Sequence, residues 1–206
     1  MNLFAHSSFS KRMLWAITLG IVLAMGAFAP GLASADEDKQ DAAVTIAGGE
    51  ISVSNTAALD LTDSDGDDPN WSEDAQLVGD VTSGIVVQDH RGTAAGWYVT
   101  VESSNFAGQG DIASESISAE NFSVKVDNLA RTSGQAIDEE EGPVSSISSY
   151  TAIDSAVTLA SAGEDYGMGT YSFDADYQLE IPALQLAGEY EATVTYTLYG
   201  SEVSSF

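Results

Sequence analysis

The densest set of hard oxygen ligands in the chain runs from Asp60 to Asn70, Asp-Leu-Thr-Asp-Ser-Asp-Gly-Asp-Asp-Pro-Asn. Asp63, Asp65 and Asp67 alternate, Asp60 and Asp68 flank them, and Gly66 permits a sharp turn. Several carboxylates could therefore converge on one Ca²⁺, an ion that takes about six to eight oxygens. An EF-hand loop places its glycine after the third acid and ends on a bidentate Glu; here Gly66 precedes the third acid of the alternating run and no Glu closes the loop. Two readings stay open, a weak calcium site and a solvated acidic turn. No other cofactor is implied. Cysteine is absent, and His90 is the one histidine after residue 35, so zinc lacks ligands and a Ser-His-Asp device could be built only on His90. No Gly-x-Ser-x-Gly elbow is present. Among 32 acids, carboxylate pairs at a glycosidase's spacing arise by accident. The residue inventory points away from an enzyme.

The elements that would position these groups read as β-strands. From Asp89 to Val101 a Gly- and Ala-rich turn leads into a strand with Trp97, Val99 and Val101 on one face and Tyr98, Thr100 and Glu102 on the other. A buried indole hides on the order of 200 Å², worth about 25 cal/mol per Å², which makes Trp97 the natural packing centre of a modest core. Arg91 has the reach to form a bidentate link to Asp89 and pin the turn before that ring. Near the end, Tyr190, Ala192, Val194, Tyr196 and Leu198 alternate with polar residues, predicting one strand over 190–199. Tyr171, Phe173, Ala175, Tyr177, Leu179 and Ile181 alternate likewise, and Pro182 stops the pairing. Short strands are predicted at 44–46, 50–54, 85–87 and 122–126, with long polar excursions over 103–121 and 131–150. No helical stripe or repeat competes. The pattern predicts an all-β fold, an antiparallel β-sandwich, Ig-like in general architecture, with long polar loops.

Two stretches resemble the WxL domain of bacterial surface proteins. The proximal motif of that family, Asp-x-Arg-Gly-Thr-x-x-Gly-Trp-x-Leu, is matched by Asp89, Arg91, Gly92, Thr93, Gly96 and Trp97. The distal motif, Tyr-x-x-x-Leu/Val-Thr-Trp-x-Leu, is matched by Tyr190, Val194, Thr195 and Leu198. Val99 stands where the family has Leu, and Tyr196 where it has the second Trp. The resemblance implies non-covalent association with the cell wall or with other surface proteins, and it implies Trp97, Tyr190 and Tyr196 as binding residues.

Upstream, Lys11 and Arg12 precede an apolar run from Met13 to Ala29 that ends on Ala33-Ser34-Ala35, the layout of a cleavable signal peptide over residues 1–35. Residues 36–43 read as a disordered acidic lead-in and 44–206 as one domain. With two of the six basic residues in the signal, the mature chain has 4 basic and 32 acidic residues, a formal −28. Such a chain repels nucleic acid and anionic membrane, which are engaged through clustered Lys and Arg. The expected protein is secreted to the cell surface or wall, binds a wall polymer or surface proteins, and is not catalytic. The alternative is a self-associating structural or adhesive subunit, with divalent cations as possible bridges.

Overall fold

The computed structural model describes residues 44–55, 58–62 and 66–200. The signal segment, the acidic lead-in, Asp63 and Asp65 lie outside them. Twelve strands are present among the described residues: β1 (Ile51–Asn55), β2 (Gln76–Asp89), β3 (Trp97–Ser103), β4 (Phe106–Gly108), β5 (Ser116–Ile117), β6 (Phe122–Gly134), β7 (Val144–Ser145), β8 (Thr151–Ala152), β9 (Val157–Ala162), β10 (Gly169–Ile181), β11 (Tyr190–Glu191) and β12 (Val194–Gly200). The only helical turns among those residues are two short 3₁₀ segments. The architecture is all-β and antiparallel, as the period-two patterning predicts.

One sheet has the order β1-β2-β10-β6-β8, a second β12-β3-β9-β7, and a small third β11-β4-β5. The first two share one core. β10 sends Tyr171, Phe173, Ala175, Tyr177 and Leu179 inward; β3 answers with Trp97, Val99 and Val101, and β6 adds Phe122, Val124 and Val126. Aromatic contacts line the core: Trp97 lies 6.1 Å from Tyr171 across the layers, and Phe122 stacks on Tyr177 at 5.4 Å within the five-stranded sheet. β2 is longer than its sequence pattern suggests because it changes parity. Opposite Tyr177 and Gln178 it carries one extra residue, Asp80, after Gly79 at φ 128°. That bulge lets Val78 before it and Ser83, Ile85 and Val87 after it all point inward.

Three expectations need correction. Residues 44–46 form no strand, and Val44 and Ile46 are almost fully exposed, because nothing pairs with them. The 103–121 excursion is not merely polar: Phe106 and Ile117 enter the core from β4 and β5. The 190–199 segment is two strands. At Thr193 the chain is held by Ser104, whose N–H donates to the Thr193 carbonyl and whose Oγ accepts from the Thr193 N–H. This clasp moves Tyr190 into the small sheet and leaves Val194–Gly200 beside β3.

Charge is unevenly placed over the two outer faces. The outer face of the five-stranded sheet carries Asp127, Asp174, Asp176 and Glu180. Lys125 bridges Asp127 at 2.8 Å and Asp176 at 3.2 Å, and these hydrogen bonds push the Lys125 ammonium pKa up.

Candidate functional site

Residues 89–97 form the corner from β2 into β3. Asp89 is 1 % exposed. Arg91 folds back on it: Nε donates to Oδ1 at 2.9 Å, Nη2 to Oδ2 at 2.8 Å, and the Arg91 N–H to Oδ1 at 3.1 Å. Nη2 also donates to the Gly96 carbonyl at 2.7 Å. A carboxylate withdrawn from water requires that density of partners. The fork closes the turn, and Trp97 enters the core directly after it, its indole N–H donating to the Gly167 carbonyl at 3.0 Å. Gly167 is required there, since a Cβ would fall 2.6 Å from Trp97 Nε1. His90, beside the fork, is exposed, and its backbone pairs with Glu50 and Gly49.

The two motif strands are neighbours. β12 pairs antiparallel with β3 so that Tyr196 opposes Val101, Leu198 opposes Val99 and Gly200 opposes Trp97. Tyr196 points inward and its hydroxyl meets that of Tyr177 across the layers. Burial raises the pKa of both phenols. Ser83 Oγ, buried beside them, makes no aligned hydrogen bond of its own. A tyrosine in place of the family's tryptophan brings a hydroxyl that must be satisfied, and Tyr177 satisfies it.

Trp97 is therefore placed in the interior, and Tyr196 packs, partly buried, against the same core. Trp97 is 1 % exposed, and the hydroxyl of the partly buried Tyr196 is committed inward to Tyr177. Tyr190 is placed differently. It lines a groove of about 1060 Å³ at one end of the sandwich, between residues 59–61 and 68–76, the small sheet and residues 181–194. The walls are tied together where the Leu184 N–H donates to the Ser72 carbonyl at 3.1 Å. The Tyr190 hydroxyl is fixed by donating to the Leu186 carbonyl and accepting from Gln185 Nε2, both at 2.8 Å.

Trp71 lies on the same groove and is 55 % exposed. Sequence pattern does not single it out, yet one signal was available: a lone tryptophan in a run of acids, Pro and Ser belongs to no strand face and has no core to enter. Asp60 and Asp68 also line the groove, with Asp74, Glu189 and Glu191, and no Lys or Arg among the described residues lines it. As for calcium, no three His, Asp or Glu side chains among the described residues are grouped to hold a metal ion. Asp67 and Asp68 are exposed, and Asp63 and Asp65 lie outside the described residues.

Comparison with curated proteins and with solved structures yields no match. The model of the WxL domain, a surface cell wall-binding domain, matches residues 37–201, a span that includes the Arg91 corner, both motif strands and the groove. The chain therefore belongs to the WxL domain family and is a cell-surface protein that binds the cell wall.

Proposed function

We propose that the chain holds the wall non-covalently, without catalysis, through the groove at the end of the sandwich. The exposed ring of Trp71, on the same groove as the fixed ring of Tyr190, carries this reading. Aromatic faces stack against the apolar faces of sugars and acyl groups, and convergent polar groups fix orientation. Asn70, Gln76, Asn105, Gln109 and Gln185 supply amides along the walls. The carboxylates set the sign of the ligand: a neutral glycan or a strand bearing amines is accepted, and a phosphate polymer is repelled.

The test is sedimentation of the secreted chain with purified wall, before and after its phosphate polymers are stripped. Stripping should raise retention. Trp71→Ala should lower it about tenfold, equivalent to about 1.4 kcal/mol, with an unchanged melting temperature because the ring is exposed. Retention equal to the parent in Trp71→Ala would move the binding site elsewhere.

A further inference from the structure

We propose that the outer face of the β12-β3-β9-β7 sheet is a self-association surface whose partner is a second copy of this chain. At its centre Tyr98 and Tyr199 are direct cross-strand partners, stacked at 4.6 Å with 14° between their planes, and they are 40 % and 44 % exposed. The next rank pairs Thr100, which is 9 % exposed, with the half-buried Thr197, and β9 extends the two ranks with the half-buried Ser161 beside Tyr98 and Thr158 beside Thr100, so the two tyrosines are the parts of these ranks that stand out to solvent. Glu102, opposite Thr195, is the only charged side chain among the outward positions of β3, β9 and β12.

Neutrality on this face is informative in a chain with 32 acids. A neutral glycan tolerates carboxylates around it, so their exclusion gives such a ligand nothing. An anionic polymer needs cations, and these positions hold none. Exclusion of charge helps only where a partner is itself strongly acidic and brings an equally uncharged patch. The molecule known to have both properties is another copy. A two-fold contact joins like to like, Tyr pair upon Tyr pair. Tyrosines supply contact area at low entropic cost, and threonine side chains are already restricted at χ1. Glu102 stands four residues from Tyr98, about 13 Å along the strand at about 3.3 Å per residue. An axis through the tyrosines carries the two glutamates to opposite ends, each beyond a Debye length of about 8 Å at physiological salt. The opposite sheet, with Asp127, Asp174, Asp176 and Glu180 outward, then faces away from the contact.

The secreted chain, followed by sedimentation velocity from about 1 to 100 μM, is expected to form a dimer, the range in which a modest interface shows itself. Tyr199→Asp should weaken the dimer about thirtyfold or more, the loss of a 2 kcal/mol anchor. Ser172→Asp on the opposite sheet should leave it unchanged. Photo-oxidative tyrosine cross-linking of the unmodified protein gives an answer that does not depend on any variant folding: intermolecular links should join Tyr98 or Tyr199 of one copy to Tyr98 or Tyr199 of another. A monomer throughout the range, a dimer indifferent to Tyr199→Asp, or intermolecular links confined to other tyrosines overturns the proposal.

Discussion

Trp97 and Arg91 do their work a few residues apart, and each makes a measurable claim on stability. Trp97→Ala should cost about 3–5 kcal/mol, the range for deleting a large buried aromatic, read as a shifted denaturant midpoint. A midpoint matching the parent would mean the ring contributes no packing. Arg91→Met should cost about 3 kcal/mol or more, because Asp89 is left buried with no cation beside it. Pairing Arg91→Met with Asp89→Leu removes both charges and should recover much of that loss; two additive losses would show that the fork is not a unit. These residues were legible in sequence because their partners are close: Arg91 reaches Asp89 two positions away and Gly96 five away. Gly167 and Trp71 were not. Gly167 matters because the chain brings it against an indole seventy positions earlier, and Trp71 matters because distant loops make a groove of its surroundings.

At the level of elements, alternation identified β3, β10 and β12 because each has one face in the core and one outside. It failed on β2, where the bulge at Gly79 switches which parity faces inward. It also merged β11 with β12, since a period-two pattern runs unbroken through Thr193 while a tertiary clasp to Ser104 divides the strand. The link between layers at Tyr177 and Tyr196 sets an alkaline limit. Burial, the larger cause, and the neighbouring phenol push the Tyr177 pKa far above the ordinary 10.0. Above pH 10 the unfolded chain therefore releases a proton that the native state keeps. Stability present below pH 10 should then fall, by about 1.4 kcal/mol per pH unit for this one tyrosine. Tyr177→Phe should flatten that decline while costing about 1–3 kcal/mol at neutral pH, the penalty for leaving the Tyr196 hydroxyl unmatched. A parent chain whose stability holds level from pH 10 to pH 12 would contradict the buried hydroxyl pair.

For the whole molecule, the governing quantity is a formal −26, of which every acid lies after residue 35. Compaction brings like charges together, so the melting temperature should climb with sodium chloride as the Debye length shrinks from about 10 Å at 0.1 M to about 3 Å at 1 M. A melting temperature lowered by salt would point instead to ion pairs as the net stabiliser. Retention on walls that keep their phosphate polymers should rise over the same range, because screening removes repulsion and leaves apolar contact in place. Retention that falls steeply would mean that the few cations do the binding. The concealment of Trp97 carries a further implication, for inheritance and for engineering. Apart from Tyr190, which lines the groove, the signature by which this family is recognised describes the corner and how the interior is filled, so it constrains the scaffold and leaves the rest of the groove's rim free to drift. Two members could share every letter of the motif and prefer different walls. Specificity could then be transplanted by exchanging residues 68–76 and 182–189 alone, with the tryptophan corner and Tyr190 left untouched.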